Sequence, residues 1–204
     1  MLPKDFPNWR IIYYYFSTWK MAGLIEVLQE ALVEKMRLKS GRKAGPTVGI
    51  IDAQSVKSTL VSSESKGFDA GKKVKGIKRH IITDTMGLIL AVVIQSASVQ
   101  DRDGATETIN KMRGSWRNIV KLFADGGYRG KLIAQIKTNF KIQMEIIKRN
   151  EVHTFKVLPK RWIVERTFSW IDAQRRNSKN YERLNNTGVA MIQISSIRSM
   201  LNRF

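Results

Sequence analysis

The sequence predicts an α/β protein in which a mixed β-sheet is flanked by helices. Segments with the two-residue alternation or short apolar runs of strands are interspersed with segments that have the 3.6-residue period of helices. Their order is strand, hairpin, helix, strand, helix, strand, helix, helix, which is typical of a sheet covered by helices. A length of 204 residues and an apolar content of 43% are enough for one substantial core.

Two helices are expected ahead of the sheet, within residues 8–38. Apolar residues recur there at helical spacing, Asn8 is suited to cap the first helix, and Gly23 separates the two apolar sets. Residues 39–47 are polar and rich in Gly and Lys, so we expect a linker. The predicted division is therefore a short N-terminal helical segment with its linker at residues 1–46 and a second domain at residues 47–204.

The sheet is predicted to begin with the strand Val48–Asp52. Residues Gln54–Lys78 show no hydrophobic periodicity and are expected to form a basic loop. A β-hairpin should follow, with strands His80–Thr85 and Leu88–Ser96. The remaining elements are predicted in this order: helix Asp101–Arg113, strand Ile119–Ala124, helix Gly130–Phe140, strand Ile142–Lys148, a variable stretch Asn150–Pro159, helix Lys160–Arg176 and a final helix from Thr187.

The charge balance indicates a polyanionic partner. There are 36 Lys and Arg residues against 17 Asp and Glu residues, giving a net charge of +19 and a pI near 10.4. The basic residues are spread through the chain rather than gathered on one amphipathic helix, so nucleic acid is favoured over a membrane surface.

Several classes of protein are excluded by what the sequence lacks. There are no cysteines, which excludes disulfides and thiolate metal sites, and the two histidines are too few for a histidine-built zinc site. The longest clean apolar run, Leu88–Ile94, is too short to cross a bilayer. Residues 1–7 do not have the form of a signal peptide. We therefore expect an intracellular protein that is not inserted in a membrane.

Three carboxylates next to or within apolar segments are the candidate functional residues. Asp52 and Asp125 follow predicted strands, and Glu165 lies in the predicted helix near the end of the chain. Strand ends are where open α/β sheets place their ligands, and a half-buried carboxylate needs a partner. If the three converge, they form a site for divalent metal ions, whose natural substrate on so basic a chain is nucleic-acid phosphate.

Each acid also has a simpler interpretation. Asp125 with Gly126 and Gly127 can form a turn, Asp52 can cap a turn or helix, and Glu165 can pair with Arg161. The other aspartates are weaker candidates for a metal site because their positions suit helix caps, turns or local ion pairs. These are Asp69, Asp84, Asp101, Asp103 and Asp172.

The surroundings of the three acids resemble those of a known family, the DDE transposases of bacterial insertion sequences. The similar stretches are Ile51–Lys57 around Asp52, Ala124–Gly130 around Asp125 and Arg161–Phe168 around Glu165, together with Gly71–Gly76 and Val99–Ala105. The resemblance covers nearly all of the chain.

The sequence departs from the wider family pattern around Glu165. The family has Tyr seven residues before this Glu and Lys seven residues after it, where this chain has Leu158 and Asp172, while Arg161 matches. Arg175 and Arg176 are candidates for the missing cationic contact. The segment between Asp125 and Glu165 is also too short for a large insertion domain.

The resemblance implies an RNase H-like fold and a metal-dependent DNA transposase. Asp52, Asp125 and Glu165 would be the catalytic and metal-binding residues, holding Mg²⁺ or Mn²⁺, as two ions. The implied activity is cleavage at the ends of the element and strand transfer into target DNA. The implied partners are double-stranded DNA, in the form of terminal inverted repeats and target, and further copies of the chain on that DNA, in a bacterial cytoplasm at the nucleoid. The residues expected to contact DNA are Lys57, Lys72, Lys73, Lys75, Lys78, Arg79, Arg161, Arg175 and Arg176.

Relatives in this family carry an N-terminal helical DNA-recognition domain ahead of the segment with which this chain begins. We therefore expect residues 1–46 to be the remnant of that region, and an upstream-frame product is a candidate partner. The alternative is a truncated, catalytically inactive DNA-binding competitor of a full transposase. A third hypothesis is an RNase H-like nuclease that recognises nucleic-acid structure.

Overall fold

The computed structural model of the protein describes residues 5–60, 64–147 and 161–203. The expected stretch Asn150–Pro159 lies outside the described residues. The helices are α1 (Trp9–Met21), α2 (Leu24–Lys39), α3 (Asp101–Ser115), α4 (Lys131–Phe140), α5 (Arg161–Asp172) and α6 (Asn185–Leu201). The strands are β1 (Val48–Lys57), β2 (Gly67–Asp69), β3 (Val74–Asp84), β4 (Ile89–Ser96), β5 (Lys121–Ala124) and β6 (Gln143–Ile146). Among these described helices, none is both long and apolar enough to cross a membrane.

The strands form one mixed sheet, as the sequence predicted. The order through its centre is β3-β1-β5-β6, and both β2 and β4 pair with β3. β3 is antiparallel to β1, β2 and β4, whereas β5 and β6 continue the sheet in parallel with β1. The long antiparallel centre is therefore a meander, and the parallel half is built by the helices α3 and α4 that connect its strands.

Each face of the sheet contributes to a separate apolar cluster. Ile51 and Ile82 lie in a cluster with buried residues of α2, α3 and α4. Ile50 and Ile81 lie in a second cluster with buried residues of α5. Because side chains alternate between the faces of a strand, successive residues of β1 are assigned to opposite layers.

The two N-terminal helices are confirmed, and they differ in how they are packed. The Asn8 side chain accepts a hydrogen bond from the backbone of Arg10, and Gly23 between the helices has a φ of 71°. Val33 of α2 is fully buried in the cluster shared with the sheet, whereas α1 contains no buried residue. The helix α2 is thus part of the main core, and the functional division at residue 46 stays a prediction.

The expected loop at Gln54–Lys78 is wrong for much of its length. β1 continues to Lys57, β2 forms at Gly67–Asp69, and β3 begins at Val74. Sequence periodicity did not reveal the first half of β3 because Lys78 and Arg79, which are charged, fill buried positions there. The same error placed Asp52 at the end of a strand, whereas it lies in the middle of β1.

A buried ion pair joins α2 to the turn between β3 and β4. The carboxylate of Asp84 is fully buried and pairs with the guanidinium of Arg37, whose Nε also donates to the carbonyl of Lys43. The other oxygen of Asp84 accepts from the backbone N–H groups of Met86 and Leu88, at 2.8 and 2.9 Å. The pair therefore fixes both the hairpin turn and the helix packed beside it.

Replacing Arg37 by Met should lower the free energy of unfolding by about 3–5 kcal/mol, because the Asp84 carboxylate would remain buried without its cation. Urea denaturation measures the change. The control is Arg102→Met, which removes a half-exposed guanidinium paired with Asp103 at 3.8 Å and should stay within about 0.5 kcal/mol of the wild type. Equal stability of the two variants would contradict a structural role for the Arg37–Asp84 pair.

Burial holds His80 of β3 in its neutral form. Its side chain is inaccessible to solvent, and Gly104 of α3 lies so close that a Cβ there would meet the imidazole ring. Desolvation lowers the pKa of His80 to about 4, with Asp101 opposing that shift and Lys78 and Lys72 adding to it. Because the folded pKa is below the unfolded value of 6.5, His80 contributes stability above pH 6.5 that is lost as the pH falls towards 4.

The stability that His80 confers should account for roughly 3 kcal/mol of the loss in unfolding free energy between pH 6.5 and pH 4. The measurement is a series of urea titrations across that range for the wild type and for His80→Gln, in which this part of the pH dependence should disappear. An unchanged slope in His80→Gln would show that the imidazole is not held neutral.

Candidate functional site

The register of the sheet brings Asp52 and Asp125 together. β1 and β5 pair in parallel, with Val48 opposite Lys121 and Ile50 opposite Phe123. The pairing ends there; continued two residues further, the same register would place Asp52 beside Asp125, which directly follows β5. Neighbouring strands are about 4.8 Å apart, and both acids share the parity of the Ile50–Phe123 pair. Asp52 therefore leaves β1 on the face of the sheet that α5 covers, and Asp125 lies just beyond the end of β5, where Gly127 lies between its Oδ1 and Asp101 Oδ2 of α3.

Local hydrogen bonds orient both aspartates. Asp125 caps a single 3₁₀ turn, Gly126–Tyr128, where its Oδ1 accepts from the backbone N–H of Gly127 at 2.9 Å. Asp52 Oδ1 accepts from the N–H of Ala53 at 2.7 Å. The simpler interpretation, in which Asp125 forms a turn with Gly126 and Gly127, is thus confirmed. That turn also holds the Asp125 carboxylate at the end of β5.

Glu165 lies on the helix that packs over this face. Val164 and Phe168 of α5 are buried in the same cluster as Ile50 and Phe123, while Glu165 is exposed. Positions seven residues apart lie on one side of a helix, so Glu165 shares a side of α5 with Asp172.

The far end of that side is tied to β1. The Asp172 carboxylate accepts from the side-chain amide of Gln54 at 2.5 Å, and Gln54 lies two residues beyond Asp52 on the same face of β1. The helix side carrying Glu165 is therefore directed along the strand that carries Asp52. The alternative pairing of Glu165 with Arg161 is not tested, because the Arg161 side chain lies outside what the structure describes.

The acids fit a hydrated divalent cation by their chemistry. Carboxylate oxygens are the ligands that Mg²⁺ prefers, and Mg²⁺ keeps several of its waters when only a few protein oxygens bind it. Within residues 5–60, 64–147 and 161–203, no three metal-binding side chains are close enough to enclose one ion. Asp52, Asp125 and Glu165 are therefore not within reach of one ion in this structure, and Glu165 lies on α5, which packs over Ile50 and Phe123.

On the opposite face, a buried lysine joins two further aspartates, which the sequence had ranked as weaker candidates. Lys78 Nζ lies 2.8 Å from Asp101 and 3.3 Å from Asp69, and it donates to the Val99 carbonyl at 2.7 Å. Burial alone would raise the pKa of Asp69, but hydrogen bonds from Ser55 and the Lys72 backbone and the charge of Lys78 together lower it to about 2. The lysine thus fixes the first residue of α3 to the sheet.

The 3₁₀ turn that Asp125 caps ends in a buried tyrosine. Tyr128, the last residue of the 3₁₀ turn, is fully buried, and its hydroxyl has no hydrogen-bond partner among the described residues. Burial raises the pKa of Tyr128 well above its usual value, and the negative charges of Asp52, Asp101 and Asp125 raise it further. The hydroxyl therefore keeps its proton at neutral pH and can donate a hydrogen bond.

The basic residues expected to contact DNA divide by exposure. Lys78 and Arg79 are buried and bound to carboxylates, which does not agree with a contact to a phosphate outside the protein. Arg176 is exposed but pairs with Glu182 at 2.6 Å, and the Arg161 side chain is not described. Exposed on the surface are Lys57, Lys72, Lys73, Lys75 and Arg175.

Comparison with known proteins identifies the family. The family described as "Transposase DDE domain" matches residues 43–199, which include all three candidate acids. A putative transposase for insertion sequence element IS402 from Burkholderia cepacia is 31% identical over 115 residues, or 53% of this chain and 54% of that protein. The match thus spans about half the length of this relative.

Two solved structures resemble the chain at low sequence identity. The Mos1 strand transfer complex is matched over 86% of this chain and 58% of that one, with 11% identity and a TM-score of 0.38. The Drosophila P element transposase strand transfer complex is matched over 76% and 44%, with 10% identity and a TM-score of 0.27. The assignment rests on the match across residues 43–199, most of the chain. The chain belongs to the transposase DDE domain family.

Proposed function

We propose that the chain is the catalytic unit of an insertion-sequence transposase, which cuts DNA at the ends of its element and joins the freed ends to target DNA. The observation that supports the proposal is the parallel register of β1 and β5, which if continued would set Asp52 beside Asp125. The helix α5, which carries Glu165, packs in the same cluster as Ile50 and Phe123. This arrangement occurs in a chain whose family match includes all three residues. The fold we infer around it is the RNase H-like one.

The roles of the residues follow from their positions. Asp52 and Asp125 would hold the divalent cation, Mg²⁺ or Mn²⁺, from the middle of β1 and from the end of β5, whose backbones are fixed by the sheet. Glu165 completes the site from α5, which is tied to β1 through Asp172 and Gln54. When bound, a pair of such ions supplies activation of the attacking oxygen and stabilisation of the leaving one. The side chains therefore position the phosphate and the metal and need not move protons themselves.

The DNA-binding surface that we infer lies further along β1. Lys57 is five residues beyond Asp52, or roughly 17 Å at the rise of a strand. It pairs across β1 and β3 with Gly76, next to the exposed Lys75. The turn before β3 adds the exposed Lys73. A duplex bound to these lysines, at the end of β1 and the start of β3, would extend along β1 to the acids. Pairing two element ends would involve at least two copies of the chain.

A second candidate function is DNA binding without catalysis, as a competitor of a longer transposase. Two observations favour it. The described residues do not enclose a three-carboxylate metal site, and position 172 holds an acid that is bound to Gln54 and Arg79. Tight DNA binding by a chain that shows no metal-dependent turnover would support this function over the first.

Conservative removal of the catalytic charges should abolish activity. Asp52→Asn, Asp125→Asn and Glu165→Gln are each expected to reduce cleavage of DNA carrying the terminal repeats at least about 10³-fold with Mg²⁺ or Mn²⁺. The matched control is Asp103→Asn, which removes an exposed carboxylate that pairs with its neighbour Arg102 and should keep wild-type cleavage. Full activity in any of the three variants would remove that residue from the catalytic site.

The surface lysines should determine how DNA affinity depends on salt. Replacing Lys57, Lys73 and Lys75 together by Met should reduce the slope of log affinity against log salt by about 0.9 for each phosphate that is no longer neutralised. Fluorescence anisotropy with duplex DNA measures the slope. The same number of charges removed at the exposed Lys35, Lys39 and Lys43 should leave most of it intact. Equal slopes for the two triple variants would mean that DNA does not bind preferentially at the open end of β1.

A further inference from the structure

The buried hydroxyl of Tyr128 is not explained by packing. The ring is fully buried in the cluster that contains Ala105 and Ile109 of α3, a position that a phenylalanine would fill equally well. Its hydroxyl has no partner among the described protein groups. An unsatisfied buried hydroxyl costs about 1–3 kcal/mol. The hydroxyl therefore needs a partner that the described polypeptide does not supply.

Tyr128 ends the turn that Asp125 caps, and the charges of three carboxylates reach its hydroxyl. After burial, Asp52, Asp101 and Asp125 all raise the pKa of Tyr128. Two of them flank Gly127, since a Cβ built on that glycine would lie 3.1 Å from Asp125 Oδ1 and 3.9 Å from Asp101 Oδ2. The glycine thus leaves space for a small group between the two acids, at the residue preceding the tyrosine.

Asp101 is held rigidly at this place. It is the first residue of α3, and its carboxylate is bound by Lys78 at 2.8 Å, with Lys72 Nζ at 3.9 Å. Lys72 also donates to the carbonyl of Ala53, the residue after Asp52. The position of Asp101 is therefore linked to the same strand that positions the first catalytic acid.

The distances between the acids decide whether they would bind a cation directly or through its water molecules. Asp52, Asp101 and Asp125 are too widely spaced for all three to bind one ion directly, since no such group exists among the described residues. A divalent cation that keeps part of its water shell bridges longer distances, because protein groups then bind its water. Groups of this kind, one layer out from a metal, orient it and tune its affinity.

We propose that Tyr128 and Asp101 are positioning residues for a hydrated divalent cation at Asp52 and Asp125, and that both bind water of that cation rather than the ion itself. Gly127 leaves the space that this water occupies. The proposal rests on the proposed function, since it takes Asp52 and Asp125 to be the direct ligands. It assigns a role to two residues outside the acid triad and gives the buried hydroxyl its partner.

The test is a titration of the DNA-free protein with Mn²⁺. Electron paramagnetic resonance measures the Mn²⁺ that remains free, and so gives the affinity. Tyr128→Phe should weaken Mn²⁺ binding by about 10-fold without lowering stability to urea, because its hydroxyl has no partner among the described residues of the cation-free protein. Tyr181→Phe removes a hydroxyl from an exposed ring stacked on Arg176 and should bind Mn²⁺ like the wild type.

A second pair of variants tests the space beside the glycine. Gly127→Ala places a methyl group between Asp125 and Asp101 and should also weaken Mn²⁺ binding. The matched control is Gly126→Ala, whose Cβ would have its nearest neighbour, the Arg129 side chain, at an ordinary 3.8 Å. Neither glycine has a positive φ, so the alanines differ in the space they fill rather than in backbone strain.

The outcomes separate this proposal from the function on which it rests. Wild-type Mn²⁺ affinity in both Tyr128→Phe and Gly127→Ala would overturn the positioning role, and the proposed function would stand if Asp125→Asn still abolished binding and cleavage. Lower urea stability in Tyr128→Phe with unchanged Mn²⁺ affinity would also overturn it, because the hydroxyl would then be a structural group. If Asp125→Asn bound Mn²⁺ normally and cleaved DNA, the proposed function itself would fail.

Discussion

The short pairing between β1 and β5 is the constraint on which the site depends. β5 has four residues and is in register with β1 only from Val48 to Ile50, while β1 continues to Lys57 along β3. Beyond Ile50, β1 therefore has β3 as its only paired strand among the described residues until Asn180 bonds to its last residue, Lys57, and β5 has already ended before Asp125. A longer β5 would move its terminal acid past Asp52, and a one-residue shift in register would direct Asp52 and Asp125 to opposite faces of the sheet. The placement of two like charges on neighbouring strands is thus a consequence of where one strand ends.

Two buried cations on β3 stabilise the elements on either side of this site. Lys78 and Arg79 are consecutive, so their side chains project to opposite faces of the sheet. On one face Lys78 binds Asp69 and Asp101 and fixes the start of α3. On the other, Arg79 binds Asp172 at 3.3 Å and the carbonyl of Asn177 at 2.7 Å, which fixes the end of α5. Burial lowers the pKa of Arg79 to about 10, and Asp172 opposes that shift, so the guanidinium stays charged at neutral pH. Both buried cations are paired, as the cost of desolvation requires.

The parts of this structure that could be predicted from sequence are those in which apolar residues determine position. The helices of the N-terminal segment, the β3–β4 hairpin and the end of β5 at Asp125 all follow from apolar periodicity and turn residues. The first half of β3 could not be recognised, because Lys78 and Arg79 are buried in pairs with acids that are distant in sequence. For the same reason these two residues were expected to bind DNA. The positions of Asp101 and Tyr128 depend on how α3 packs on the sheet, which no local pattern encodes.

The basic residues behind the net charge of +19 fall into two groups, one buried in ion pairs and one exposed on the surface. The cations inside the protein, at Arg37, Lys78 and Arg79, are paired with carboxylates and are largely insulated from salt, so they determine the geometry of the sheet and its flanking helices. The exposed lysines near the end of β1 have no such insulation, and their attraction for phosphate is screened by salt. This division matters for the function proposed above, because Asp52 and Asp125 would repel a DNA phosphate. The surface lysines would attract DNA to the sheet against that repulsion, while the buried pairs hold β3 and its flanking helices in place.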